Sequence, residues 1–147
     1  MANFKTIVVA VDFSPVSAAA LRMALGLAKQ LGSQIRIVHA VPVQVTGLPM
    51  DGGPGYVDPD LHQQQMEGAK RDLSRFVAEH AGAGAAHEIE VLSGFPADEV
   101  DRIARESGAD LIVMGTHGRT GLRHLIMGSV AESVIKKTSI PVLCVKG

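Results

Sequence analysis

Five short runs along the chain are apolar and rich in β-branched residues, and four longer segments between them carry apolar residues at helical spacing. The runs are KTIVVAV at 5–11, QIRIVHAV at 34–41, HEIEVL at 87–92, ADLIVMG at 109–115 and IPVLCVKG at 140–147. A run without alternation suits a strand covered on both faces of a parallel sheet. The third run alternates more, which places it nearer an edge. Between the first two runs lies DFSPVSAAALRMALGLAKQLG, where Ser14 is the N-cap, Pro15 takes the first helical position and Gly32 ends the helix. Leu21, Ala24, Leu25, Ala28 and Leu31 form its apolar stripe. A second helix is expected from about Leu61 to His80, with Met66, Ala69, Leu73, Phe76 and Val77 on one side and Gly82 and Gly84 after it. A third runs from about Pro96 to Glu106, and a fourth from near Ser129 to Lys136 and Lys137, whose charges suit the negative end of a helix dipole.

Strand and helix therefore alternate throughout, the pattern of a parallel α/β sandwich with right-handed crossovers. No internal repeat interrupts it. The exception to the alternation is the stretch of about 42–57, PVQVTGLPMDGGPGYV, whose prolines and glycines have no usable periodicity and read as a flexible loop, either a lid or a disordered segment.

At 147 residues the chain can bury one good core, so 1–147 is expected to be a single domain. The formal charge of -1 removes the broad electrostatic case for nucleic acid, and with 3% aromatic residues there is little to stack on bases. Cys144 is the sole cysteine, which forbids an intrachain disulfide and a thiolate zinc site, and fits a reducing cytoplasm. In its apolar strand it reads as an inert core residue rather than a redox sensor. The IVVAV run at 7–11 is too short to span a membrane and lacks a signal-peptide cleavage pattern, so a soluble, unexported, cytoplasmic protein is expected.

In open parallel sheets, ligands bind beyond the carboxyl ends of strands, where the strand order reverses. Asp12, the pair His39 and Ala40, and Gly115 all fall at such ends. Gly115 opens GTHGRTGLRHLIMGS at 115–129, which leads into the fourth helix. Neither GxxxxGK[ST] nor a GxGxxG after a strand occurs. Glycines nonetheless let backbone N–H groups approach an anion, and a helix N-terminus presents unpaired donors. Against this, Ser129 and Glu132 have capping-box spacing and could satisfy those donors themselves, leaving nothing for a ligand. Both readings stand on spacing alone. Arg119 and Arg123 could neutralise phosphate or be solvated, and His117 and His124 read as surface residues because no acidic neighbour supports a metal or acid–base role.

The spacing Gly115-x2-Gly118-x9-Gly128-Ser129, the preceding LIVMG, the following SVAESVIKK, the final IPVLCV and the opening IVVAVDFSPVS together resemble the universal stress protein family over essentially the whole chain. The resemblance implies a Rossmann-like three-layer sandwich, a five-stranded parallel sheet ordered 3-2-1-4-5 with helices on both faces, of the adenine nucleotide alpha hydrolase-like kind. It also implies ATP binding, with Mg2+ as companion, because the glycine form is that of the family's nucleotide-binding branch. Carried over by position, Asp12 and the backbone around Ala40 would meet the adenosine, Gly115 the ribose, and Gly118, Gly128, Ser129 and Val130 the phosphates; Arg119, directly after Gly118, is the better placed of the two loop arginines to neutralise phosphate. A carboxylate beside a triphosphate is repulsive unless it addresses the sugar and base end or a divalent cation, which suits Asp12 to the adenosine. Ala131 departs from members that carry a hydroxyl there, and so lacks one donor.

The expected role is a nucleotide-dependent regulator in stress response with slow or no hydrolysis, since no catalytic residue stands out. A weak Mg-dependent ATPase and a nucleotide-free interaction protein are the alternatives. The run at 140–145 has no inward charge to discourage edge pairing, which points to a homodimer formed through that strand, as is common in the family. The downstream partner is left unknown.

Overall fold

The computed structural model describes residues 3–82, 87–118 and 127–147. Along them run β1 (Thr6–Ala10), α1 (Pro15–Leu31), β2 (Gln34–Val41), α2 (Pro59–His80), β3 (His87–Ser93), α3 (Pro96–Glu106), β4 (Leu111–Gly115), α4 (Ser129–Lys137) and β5 (Val142–Val145). The strands pair in parallel in the order β3-β2-β1-β4-β5, as the resemblance implied. At the centre, Val8 sits between Arg36 of β2 and Ile112 of β4.

The unalternating β1 run has a direct cause. Successive strand side chains point to opposite faces, and both faces are covered: Ile7, Val8 and Val9 have no exposed surface. Ile7 and Val9 pack with Leu21, Ala24 and Leu25 of α1 and Leu73 and Phe76 of α2. Val8 and Ile112 pack on the other side with Val100 and Ile103 of α3 and Val134 of α4. β3 is an edge strand, consistent with its more alternating sequence.

The helix signals read from sequence are present in α1. The Ser14 hydroxyl accepts from the Ser17 N–H at 3.1 Å, Pro15 opens the helix, and Gly32 is its left-handed C-cap. Leu31, placed in the apolar stripe by spacing, is half exposed, because the stripe leaves the sheet at the last turn. α2 begins at Pro59, earlier than the expected Leu61. Asp58 is its N-cap, its carboxylate accepting from the N–H groups of Asp60 and Leu61. The cap and proline there repeat the chemistry of Ser14 and Pro15.

The stretch of 42–57 folds back on itself. The Thr46 N–H donates to the Tyr56 carbonyl at 2.8 Å, the Tyr56 N–H to that of Gly47 at 2.9 Å, and a turn is closed by the Gly52 N–H on Pro49. Cys144 is partly buried in β5, and burial pushes its thiol above the ordinary range, which keeps it protonated and poorly nucleophilic.

Gly115, at the end of β4, is a packing requirement before it is anything else. A Cβ there would stand 2.6 Å from Cγ1 of Val16 in the first turn of α1, so the helix could not lie as close to the strand. Gly115→Ala should lower the unfolding free energy by about 1–3 kcal/mol through overpacking, and Ser14→Ala by about 1 kcal/mol through loss of the cap. Urea unfolding followed by circular dichroism checks both; unchanged midpoints would mean that the close packing and the cap do not contribute as described.

Candidate functional site

Neighbouring strands β1 and β4 send their following helices to opposite faces of the sheet, so the loops above them diverge. α1 covers one face, and α3 and α4 the other. A cleft of about 240 Å³ opens at that point, on the carboxyl ends of β1, β2 and β4. Its floor is apolar, made by Ala10, Val38, Ala40, Val100 and Met114, and its rim by Asp12, Thr116, His117, Gly118, Gly128 and Ser129. Asp12, Ala40, Gly115, Gly118, Gly128, Ser129 and Val130, dispersed from position 12 to 130, thus line one cavity. Arg119, Arg123 and His124 lie outside the described residues.

The capping box expected at Ser129 does not form. The N-cap of α4 is Gly128, Ser129 is the first helical residue, and no side chain among the described residues caps the helix. Two local interactions account for this. The Gly128 N–H donates to the Thr116 carbonyl at 2.6 Å, which fixes the helix start one residue earlier. The Glu132 carboxylate turns away to Lys136 at 2.8 Å, and that ammonium holds its carboxyl below the ordinary range. The first N–H groups of α4, at the positive end of its dipole, therefore face the cleft without a side-chain acceptor among the described residues.

At Gly118 and Gly128 a side chain would crowd its neighbours. A Cβ on Gly118 would lie 2.7 Å from Oδ2 of Asp12; one on Gly128 would lie 3.1 Å from the Thr116 carbonyl oxygen and 3.3 Å from the His117 Cα. The loop after β4 and the start of α4 are thus drawn together, and Gly118 in that loop comes close to the carboxylate at the end of β1.

Asp12 itself is held in three ways. Its Oδ1 accepts from the Ser14 N–H at 3.0 Å, its own N–H lies 3.4 Å from the Ser17 hydroxyl, and the intervening Phe13 adopts φ 65°. For a residue with a Cβ such a left-handed angle costs about 1–2 kcal/mol. Thr116 is buried and used at both ends of its backbone: its N–H donates to Val145 of β5 at 3.0 Å, while its carbonyl receives the Gly128 N–H.

One histidine changes standing. His117, read from sequence as a surface residue, lines the cleft, with Nδ1 2.9 Å from the Thr116 hydroxyl. His39 also borders it, and its Nδ1 lies 2.7 Å from the Val11 carbonyl; a carbonyl only accepts, so Nδ1 carries the hydrogen. The sequence signal for His117 was its place two residues beyond a strand end, and it was discounted for want of an acidic neighbour. Among the described residues no cluster of three or more His, Cys, Asp or Glu forms a metal site. The cleft thus joins an apolar slot to backbone donors and one carboxylate, a combination that suits a small ligand with a flat apolar part, hydroxyls and an anionic end.

Known proteins agree with this architecture. Residues 3–146 match the family model described as the universal stress protein family. A universal stress protein of Methanocaldococcus jannaschii, MJ0531, is 38% identical over 144 residues, covering 97% of this chain and 82% of that one. The solved structure of hypothetical protein MJ0577 superposes with a TM-score of 0.79 at 28% identity, over 99% of this chain and 97% of the other. The universal stress protein of Archaeoglobus fulgidus, solved in complex with dAMP, is 31% identical with a TM-score of 0.68, over 98% of this chain and 99% of its own. With sheet order, glycine spacing and the family match all in agreement, the chain belongs to the universal stress protein family.

Proposed function

We propose that the protein binds ATP in this cleft and acts as a nucleotide-dependent regulator in stress response, with slow or no hydrolysis. The observation that carries the reading is that the start of α4, without a side-chain cap among the described residues, lines the same cleft as the Asp12 carboxylate. An anion is favoured at one end of the cleft and disfavoured at the other, which orients a nucleotide with its phosphates toward α4 and its sugar toward Asp12. The relative solved with dAMP supports the nucleotide class. Ala40 would border the base, Gly115 the ribose, and the N–H groups of Ser129 and Val130 would meet phosphate.

Mg2+ fits only as a companion of the triphosphate, since the described residues offer no cluster able to hold it alone and phosphate oxygens supply hard ligands. Arg119 would neutralise phosphate charge. A weak Mg-dependent ATPase is the second reading, favoured by the position of His117 on the rim. Single-turnover assays separate the two: rapid ADP formation lost on His117→Ala or Arg119→Ala would replace regulation by catalysis. Purified protein that carries no nucleotide and gives no heat with ATP would instead leave an interaction protein.

β5 pairs only with β4 among the described residues and exposes an apolar edge. We place a homodimer interface there and the protein in the cytoplasm, where the nucleotide is abundant; no helix among the described residues is long and apolar enough to cross a membrane.

Gly118→Val and Gly128→Val should each weaken ATP at least about tenfold, or about 1.4 kcal/mol, because the new Cβ occupies the contact with Asp12 or Thr116. Isothermal calorimetry on folded variants is the measurement, and unchanged affinity in both would sink the site assignment. Sedimentation at micromolar concentration should give a dimer; monomer alone would remove the edge-strand interface.

A further inference from the structure

The turn that leads from β1 into α1 takes an angle that glycine adopts without conflict, yet it is built with Phe13 at φ 65°. A bulky residue stays in that region only where its surroundings over-determine it. Here the ring supplies the restraint. It lies 4.4 Å from the ring of His39 and meets that of Phe76 edge-on at 5.6 Å. His39 is itself tied through Nδ1–H to the Val11 carbonyl, and Phe76 is buried on α2. One aromatic side chain thus fastens the turn to β2 and α2 on the side of the sheet away from α3 and α4.

The residues on either side of Phe13 are bonded to each other. The Ser14 N–H occupies Oδ1 of Asp12, and the other oxygen, Oδ2, is the one a Gly118 Cβ would approach to 2.7 Å. A change in the backbone angle between them would swing that carboxylate or break its bond to Ser14. Filling space alone would not require the left-handed angle, since a ring of this size can pack from an ordinary backbone.

We propose that Phe13 is a positioning residue of the nucleotide cleft: its ring, clamped between His39 and Phe76, holds the turn left-handed and so fixes where Oδ2 of Asp12 stands on the cleft wall. The inference rests on the nucleotide reading above. It predicts that Phe13 acts on the ligand chiefly through Asp12, although its ring also touches His39 on the cleft wall.

A double-mutant cycle with Asp12→Asn, which can keep the bond to Ser14 while removing the charge, tests this by calorimetry with ATP. Phe13→Gly permits the angle but removes the clamp, and Phe13→Leu keeps apolar bulk without a ring; circular dichroism and thermal unfolding identify which of them is folded. Either folded variant should weaken ATP at least about tenfold in the wild-type background and less than about twofold in Asp12→Asn, a coupling well beyond that of independent sites. Phe13→Tyr, which restores the ring, should recover the affinity. Equal losses in both backgrounds, or no loss in a folded variant, would overturn the role of Phe13 and leave the nucleotide reading intact. A wild-type protein that binds neither ATP nor AMP would overturn the nucleotide reading, and this inference with it.

Discussion

The parallel pairing of β1 with β4, Val8 beside Ile112, joins segments more than a hundred residues apart, and the site depends on it. Once β2 has taken one side of β1, β4 can pair only on the other, and the right-handed crossover rule then sends the two sets of helices to opposite faces. The loops that follow these two adjacent strands are left to diverge, β1 leading into α1 on one face and β4 into α4 on the other. The crevice is thus a product of topology before any residue in it is chosen, and the choice of residues decides only what the crevice can hold.

Backbone groups contribute much of that choice. Gly118 and Gly128 act by omission, the first letting the loop after β4 lie beside Asp12 and the second letting the start of α4 lie against Thr116 and His117. Helix-end donors gain value from being partly enclosed, where charge is less screened than in open water. The arrangement is economical in side chains, and a sequence rearranged around the glycines could preserve it while changing what surrounds the cleft.

Where local chemistry decided the structure, the sequence was a good guide. Unalternating β1 announced two covered faces, Ser14 and Pro15 announced a helix, and sheet order followed from the family resemblance. Asp58 and Pro59 carry the same kind of start signal, but the apolar stripe of α2 begins only later, so periodicity alone sets the helix start too late. The spacing of Ser129 and Glu132 misled for a physical reason: Glu132 has a second partner at helical spacing in Lys136, and the Thr116 carbonyl, remote in sequence, fixes Gly128 as the cap. His39 is legible as a strand-end residue, whereas the place of His117 on the cleft depends on the loop after β4 meeting the start of α4, which no local spacing shows. The sign of φ at Phe13 has no local signature at all, since nothing in the sequence around it demands that angle.

Thr116 joins the last strand to the first turn of the last helix with very little slack. Its N–H is held by Val145 and its carbonyl holds the Gly128 N–H, so these bonds lie on two rigid peptide planes that share one buried Cα. Only one pair of torsions separates the outer edge of the sheet from the mouth of the cleft. A shift of β5 cannot dissipate along a flexible connection; it must be absorbed in those two angles or appear as a tilt of the α4 donors.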